Sequence, residues 1–206
     1  VKSCQKVRTM MNRLKARLRS DRGDSVLVVF LLAIPLFVLT MGFVVDTAKS
    51  VNADRAYASM AQTAVETGVK SVNSTGSLGN QAVSAFVREY RTQYGLKPDG
   101  STAETQVYNS EACSTAVVNG VKRKMPYIVV TLGTERGAKK QVTSTWIIEG
   151  NGAIPQHSLN GNVYRVISAD VYTTSTNFFG VFGLPACQTH KSSVSAVAFG
   201  SNSDLK

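Results

Sequence analysis

The longest apolar run in the sequence extends from Ser25 to Val45 and contains no charged side chain over its 21 residues. A helix of that length measures about 30 Å, which is the thickness of the hydrocarbon core of a bilayer. Core helices of soluble proteins rarely run this long without a polar face. The pattern therefore predicts a transmembrane helix over residues 25–45, with Pro35 and Gly42 inside it. Residues 22–25 are expected to form a break or cap before the span, because Asp24 and Ser25 are good N-cap residues.

The helical pattern continues after the apolar run. Over residues 46–72 small and apolar side chains recur at helical spacing, without a proline and without a glycine before Gly68. This predicts an extramembrane helix that continues the span. A polar loop at 73–80 and a second amphipathic helix over 81–94 are expected to follow, with Gly95 as a C-cap. The apolar face of this helix is predicted to consist of Val83, Phe86, Val87, Tyr90 and Tyr94.

Beyond residue 100 the hydrophobic period changes to two, which is typical of half-buried strands. The candidate strands are residues 104–109, 114–118, 125–132, 141–148, 162–173 and 192–199. Asn119-Gly120 between two of them is a common hairpin turn. The predicted fold class is α+β, with a long N-terminal helix, a second helix and a C-terminal antiparallel sheet.

Charge is distributed unevenly and predicts the topology. Residues 1–24 carry eight basic and two acidic side chains, whereas the rest of the chain carries a net charge of only +4. A basic cluster beside a span marks its cytoplasmic side. We therefore expect a single-pass protein of the cytoplasmic (inner) membrane, with a basic cytoplasmic tail at 1–24. The α+β domain at 73–206 would lie outside the cytoplasm.

Two alternatives concern this N-terminal region. A basic tail can bind nucleic acid, but no aromatic residue interleaves these charges, so contact with anionic lipid headgroups is the preferred interpretation. The apolar run also exceeds the 7–15 residues usual in a signal peptide, which favours an uncleaved anchor. Val1 is not a usual initiator, and translation from Met10 or Met11 is an alternative.

The three cysteines fit this topology. Cys4 would lie in the reducing cytoplasm, whereas Cys113 and Cys187 would both lie outside, where disulfides persist. A disulfide between them would close a long loop, which the chain-entropy model values at about 4 kcal/mol. The alternative is two unrelated buried thiols.

Residues with catalytic potential are sparse. Neither His157 nor His190 lies in a metal-binding motif, and Cys187 with His190 offers two ligands where zinc needs three or four. No nucleophile elbow or phosphate-binding loop is present. A Ser/His/Asp trio can be composed from His157, Asp170 and many serines, which almost any chain of this size allows. We expect no enzymatic activity, no cofactor, no metal and no small-molecule substrate.

Two parts of the sequence resemble the TadE/TadG-like proteins of bacterial Tad (Flp) pilus systems. The first part comprises Arg22-Gly23 before the span, Ala33-Ile34-Pro35-Leu36 inside it, Val45-Asp46 at its exit and the alanine-rich stretch 53–64. The second part comprises residues 166–171, 178–183 and 193–198 near the C-terminus. The two matches occur in the same order as in the family.

The resemblance implies a pilin-like fold and a structural role as a pseudopilin, minor pilin or assembly factor, in pilus biogenesis or adhesion. Its partners would be the lipid bilayer and other pilin-like subunits, contacted through the N-terminal helix. Prepilins are cleaved after a glycine and carry glutamate five residues later; here Gly23 and Asp24 form the possible processing site, but Val28 replaces the acid.

Val28 therefore favours the TadG-like branch, in which the tail is retained. The Asp-x-Ser-x-Ser metal motif of the von Willebrand A domain in longer TadG-like proteins is not found in this sequence. The alternative function is a membrane-anchored extracytoplasmic module that binds or senses a ligand and is unrelated to pili. An exported enzyme is a third possibility that no motif favours.

Overall fold

The computed structural model describes residues 22–74, 76–96, 113–134, 142–177 and 186–198. Residues 1–21 of the predicted basic tail, with Cys4, and the candidate strand 104–109 lie outside the described residues. The chain divides into two compact units, Val1–Val45 and Asp46–Lys206. The second unit contains all the strands found among the described residues and the second helix, in an α+β arrangement.

Helix α1 extends from Arg22 to Lys70 and covers both the predicted span and the predicted extramembrane helix. The sequence predicts a break or cap at residues 22–25, and this prediction is wrong, because the helix already includes them. Residues that favour N-caps are also tolerated inside the first helical turn. The helix continues through Pro35 and ends two residues before the predicted 72. Ser71 closes its last turn, because its hydroxyl donates to the Gly68 carbonyl over 2.8 Å.

The first part of α1 exposes its large apolar side chains, including Phe30, Leu32 and Phe43. Among the described residues, α1 is the one helix long and apolar enough to cross a membrane, judged by length and composition. A helix with these properties near the N-terminus fits a membrane anchor or a signal sequence.

The second part of α1 buries a stripe of mostly small side chains. Its fully buried members are Tyr57, Ala61, Ala64 and Val65, of which Ala64 and Val65 lie three and four residues after Ala61. A Cβ atom placed on Gly68 would lie 3.1 Å from the carbonyl oxygen of Ala82. The small stripe therefore allows α1 to approach its neighbours closely.

Helix α2 extends from Asn80 to Tyr94 and begins one residue before the predicted 81. All five residues predicted for its apolar face are buried: Val83, Phe86, Val87, Tyr90 and Tyr94. Gly95 ends the helix in the left-handed conformation, with a φ of 88°, as the C-cap prediction requires.

The main sheet has the strand order β4-β3-β5-β6, and all of its pairings are antiparallel. Its strands are β3 (Tyr127–Gly133), β4 (Thr143–Glu149), β5 (Val166–Thr176) and β6 (Cys187–Val197). Strands β1 (Thr115–Val118) and β2 (Val121–Lys124) form a separate hairpin. The hairpin turns at Asn119-Gly120, as predicted, and both of these residues have positive φ.

The strands differ most from the prediction at β2, β5 and β6. Strand β5 begins four residues after the predicted 162 and ends three residues after the predicted 173. Strand β2 was not predicted, because its sequence Val-Lys-Arg-Lys shows no apolar alternation. Strand β6 begins at Cys187, five residues before the predicted 192. The prediction missed its first residues because most of them are polar. Hydrogen bonding to β5 makes them part of the ladder, in the register Thr176↔Cys187 to Val166↔Val197.

The two faces of the sheet are covered differently. Alternate side chains of β3, such as Ile128, Val130 and Leu132, join α1 and α2 in the main core. On the opposite face, Val118 and Met125 pack with Tyr127 beneath the hairpin.

The connection from β4 to β5, residues 150–165, forms no helix or strand and is held by α2. Arg91 Nη2 donates to the carbonyl oxygens of Gly150 and Gly152 over 2.9 and 2.5 Å. The Asn80 side chain pairs with both backbone groups of His157 over 2.8 and 3.1 Å. The two ends of α2 thus fix two points of this long connection.

Candidate functional site

Cys113 and Cys187 form a disulfide, so the structure agrees with the disulfide interpretation rather than with two separate thiols. Cys113 lies just before β1 and is fully buried, whereas Cys187 is the first residue of β6 and is partly buried. Their Cα atoms are 5.6 Å apart, and the two residues are 74 positions apart in the sequence. A closed loop of that size corresponds to about 4 kcal/mol in the chain-entropy model.

The other predicted site residues lie in the first part of α1. Gly23, Asp24 and Ser25 are in its first turns, and Pro35 lies within the helix. Val28 is partly buried, Gly42 is buried, and Val45 is exposed at the end of the apolar run. The structure places these residues along one helix in sequence order. Cleavage after Gly23 stays a prediction.

A group of polar side chains lies close to the disulfide, where α1 meets the adjoining ends of β5 and β6. We call it the cystine cluster, and its members besides the two cysteines are Ser50, Asp54, Tyr57, Thr174, Ser175, Gln188 and His190. Ser50, Asp54 and Tyr57 are four and three residues apart and therefore share one face of α1. The side chains of Ser175, Gln188 and His190 point to that face, because Thr173↔His190 and Ser175↔Gln188 are register pairs. Thr174 and Cys187 belong to the opposite face of the sheet, and Thr174 meets Tyr57 through its backbone carbonyl.

His190 is the centre of this cluster. Its Nδ1 lies 2.5 Å from Asp54 Oδ1, and its Nε2 lies 2.6 Å from Ser175 Oγ. The ring is also 5.6 Å from the ring of Tyr57, measured between centroids. Both ring nitrogens are therefore engaged, which fixes the orientation of a side chain that is only 1% exposed.

The order Ser175–His190–Asp54 is the order of a hydrolytic triad, but its exposure is reversed. In a serine hydrolase the carboxylate is buried, and the hydroxyl faces the substrate. Here the Asp54 side chain is 56% exposed, and the histidine that would serve as the base is almost fully buried. The arrangement is better suited to fastening α1 to β6 than to activating a nucleophile.

Sequence reasoning singled out other partners for a Ser/His/Asp trio. His157 packs against Trp146, with their ring centroids 4.7 Å apart. Asp170 accepts a hydrogen bond from Ser193 over 2.7 Å and pairs with Lys191 over 2.9 Å. Burial alone would raise the pKa of Asp170, but these two partners outweigh it and lower the pKa below the ordinary value.

Two signals in the sequence were available for the cystine cluster and were not used. One is the spacing of Ser50, Asp54 and Tyr57 along one helical stripe. The other is the inward position of His190 once β6 is extended back to the disulfide. The pairing itself joins residues 136 positions apart, which local patterns do not reveal.

The structure also bears on the metal hypothesis for Cys187 and His190. A disulfide sulfur is not available as a thiolate ligand, and both nitrogens of His190 already have partners. Among the described residues no group of three potential metal ligands occurs. The histidine therefore contributes to the cystine cluster instead.

A cleft of about 630 Å³ lies at the end of the hairpin and beside the start of the β4–β5 connection. Its lining is mixed and includes Leu96, Thr115, Lys124 and Glu149. Arg123 donates to Glu149 over 2.7 Å, and this hydrogen bond lowers the pKa of the glutamate. The carboxylate is thus already paired within the cleft.

The comparisons with known proteins give no relative for this chain. No family model matches the sequence, and neither the curated proteins nor the solved structures contain a match.

Proposed function

We propose that the chain is a membrane-anchored structural subunit of a Tad (Flp)-type pilus system, acting in pilus assembly or adhesion. One observation supports this most directly: α1 exposes large apolar side chains over residues 27–45 and buries a stripe of small ones over 53–68. The same helix therefore has the composition of an anchor and supplies part of the domain core. The resemblance of the sequence to TadE/TadG-like proteins suggests the kind of assembly.

The proposal includes a topology with the basic tail inside and the α+β domain outside. Alkaline phosphatase fused after Lys206 should be active, because that enzyme folds only outside the cytoplasm. The same reporter fused after Arg22 serves as the control and should be inactive. An inactive fusion at Lys206 would contradict both the topology and the proposed function.

A subunit of this kind should contact similar helices through the apolar part of α1. A photo-crosslinking residue at Leu36, which is 65% exposed, should capture copies of the chain or other membrane-anchored subunits. A crosslinker at exposed Thr63, in the same helix but outside the apolar run, is the matched control. Crosslinks to lipid alone at Leu36 would argue against assembly through this helix.

The pilus role itself is tested by deletion. Cells that lack the chain should lose surface filaments in electron micrographs and regain them when the chain is supplied again. Normal filaments in its absence would instead favour the alternative of an anchored ligand-binding module.

Processing is a separate part of the proposal. Because Val28 stands where a prepilin has its acid, the mature chain should keep its basic tail. A carboxylate inside a bilayer costs on the order of 3 kcal/mol and persists only with a function, so its absence suggests that pairing with a new amino terminus is not used. An intact mass that begins at Asp24 would move the protein to the processed minor pilins.

A further inference from the structure

The β1–β2 hairpin has a cationic outward face. Between Thr115 and Lys124 the sequence contains three basic side chains and no acidic one. Residues that are paired in an antiparallel ladder share a face, so the register pairs Val117↔Lys122 and Thr115↔Lys124 place both lysines beside Val117. Val117 is 67% exposed, and both lysines are exposed as well. The outward face thus combines one exposed apolar side chain with two ammonium groups.

The third basic side chain of the hairpin is paired within the domain. Arg123 points to the other face, where its guanidinium lies 5.3 Å from the centre of the Tyr127 ring and donates to Glu149 over 2.7 Å. Among the described residues neither Lys122 nor Lys124 forms a salt bridge. The two lysines therefore carry the charge that an external anion would meet.

Helix α1 follows the sheet from one end to the other. Gln188, near the start of β6, donates to Ser50 Oγ over 2.9 Å. At the other end of the sheet, a Cβ atom placed on Gly68 would lie 3.3 Å from Ile167 Cδ1. Ser50 is only about 8 Å of helix beyond Val45, the last residue of the apolar run. The end of the sheet that contains Gln188 is therefore the end from which α1 leads to the apolar run.

The disulfide ties the hairpin to that same end of the sheet. Cys187 directly precedes Gln188, and its Cα atom is 5.6 Å from that of Cys113. Thr115 begins β1 just after Cys113, so its Cα atom is at most about 17 Å from that of Gln188. Lys124 is the register partner of Thr115. The base of the cationic hairpin and the first extramembrane turns of α1 thus share one end of the domain.

We propose that the outward face of the hairpin binds the anionic headgroups of the bilayer in which α1 is anchored. Each ammonium group can pair with a lipid phosphate without a fixed geometry, and Val117 contacts the apolar part of the headgroup region. A basic side chain near an anionic bilayer favours binding by about fivefold. The anchor keeps the hairpin at a high local concentration beside the surface, so a contact of this modest strength is populated. The inference rests on the proposed membrane anchor but not on the pilus assignment.

Photo-crosslinking of the full chain in lipid nanodiscs, with one chain in each disc, tests this contact. The bilayer is either phosphatidylcholine alone or a mixture with the anionic phosphatidylglycerol. A benzophenone side chain at Val117 should form lipid adducts, detected by mass spectrometry, at least about fivefold more often in the anionic discs. The same side chain at Val163, an exposed valine before β5 at the opposite end of the sheet, is the matched control and should form few adducts in either bilayer.

Charge variants separate headgroup recognition from apolar contact. With the crosslinker at Val117, Lys122→Gln/Lys124→Gln should reduce the adducts in anionic discs to the level of the neutral discs. Salt at about 1 M, where the Debye length is about 3 Å, should have the same effect. Lys70→Gln/Arg88→Gln, which removes two exposed charges from the helices, is the control and should leave the yield unchanged.

A crosslinker at Leu36 reports on the anchor separately and should form lipid adducts in both bilayers. Adducts at Leu36 without adducts at Val117 would overturn the hairpin contact and leave the proposed function standing. Equal yields at Val117 in the two bilayers, or an unchanged yield in Lys122→Gln/Lys124→Gln, would overturn the recognition of anionic headgroups. Capture of a protein instead of lipid at Val117 in native membranes would assign this face to a protein partner. The absence of adducts at Leu36 would contradict the anchor and, with it, this inference.

Discussion

Residues 27–45 and 53–68 belong to one helix, yet their apolar side chains lie in opposite environments. In the first segment Phe30, Leu32 and Phe43 are between 65% and 70% exposed, whereas in the second Tyr57 and Val65 are fully buried. The first segment has large side chains all round and no charge. The second has small residues on one face and polar residues on the other. The size and distribution of the apolar residues thus distinguish a segment that exposes its apolar side chains from one that packs in the core of the domain.

The physical reason is the space that each kind of neighbour, lipid or protein, can fill against the surface of a helix. A fluid lipid chain adapts to large and irregular side chains, and every face of the helix meets the same apolar solvent. A neighbouring helix or sheet approaches closely only where side chains are small, as at Ala61, Ala64 and Gly68. The remaining face meets water and carries polar residues such as Gln62 and Glu66.

Of the substitutions that test this comparison, the introduction of charge into residues 27–45 should have the largest effect. The double substitution Leu32→Arg/Leu36→Arg should prevent stable insertion, because two arginines in place of leucines cost roughly 6–8 kcal/mol in the middle of a span. Alkaline carbonate extraction of membranes checks this, and the variant should appear in the soluble or degraded fraction. The matched control, Asn52→Arg/Gln62→Arg on the polar face of the same helix, should remain in the membrane pellet.

If both double variants were found in the same fraction after extraction, the contrast between residues 27–45 and 53–68 would not hold. Retention of Leu32→Arg/Leu36→Arg in the pellet, with the domain intact, would show that another part of the chain holds it to the membrane.

The introduction of a large side chain into residues 53–68 should have an intermediate effect, on the stability of the domain. Gly68→Leu should destabilise the domain by about 3 kcal/mol, because even its Cβ would lie 3.1 Å from a backbone oxygen of α2. Gly68→Ala is the control: the gain in helix propensity of about 1 kcal/mol should largely offset the tight contact. Urea unfolding followed by the fluorescence of Trp146 measures both variants. Equal stability of the leucine variant and the natural chain would show that α1 and α2 are not closely packed here.

Surface charge on the sheet should have the smallest effect, because Asp170 is partly exposed and screened by water. Its lowered pKa stabilises the fold above the ordinary carboxyl pKa, and this contribution is lost as the pH falls through the lowered value. Asp170→Asn should therefore reduce stability slightly at pH 6 and make no difference once the pH lies below the lowered pKa.

Urea unfolding at the two pH values measures this effect. Ser195→Ala, on the exposed side of β6, is the control without a titrating group. A difference between Asp170→Asn and the natural chain that is the same at both pH values would exclude the ionised carboxylate as its source.

The sequence predicted those parts of the fold in which the period of the apolar residues matches the face that is buried in the structure. The face of α2 around Phe86 and the alternation in β3 are read directly from local patterns. The disulfide followed from topology, since Cys113 and Cys187 are the two cysteines expected outside the cytoplasm. None of these inferences required knowledge of which strands are neighbours.

The parts that were missed are held by polar groups. Strand β2 is basic and exposed, so its strand character comes from hydrogen bonds to β1 rather than from burial. The start of β6 is also polar, and His190 is buried where Tyr57, Asp54 and Ser175 contact it. The cystine cluster therefore depends on tertiary pairings that periodicity cannot indicate.

The attachment of the β4–β5 connection to α2 has a consequence for the order in which the fold is built. Strand β4 pairs with one side of β3 and β5 with the other, so the chain between them must cross to the opposite side of β3. Asn80 and Arg91, which guide that crossing, are synthesised well before residues 150–165. Helix α2 can therefore form first and then act as a template for the β4–β5 connection, with its two attachment groups about 16 Å apart along its axis. The strand order of the sheet is then directed by a helix that emerges before any of its strands.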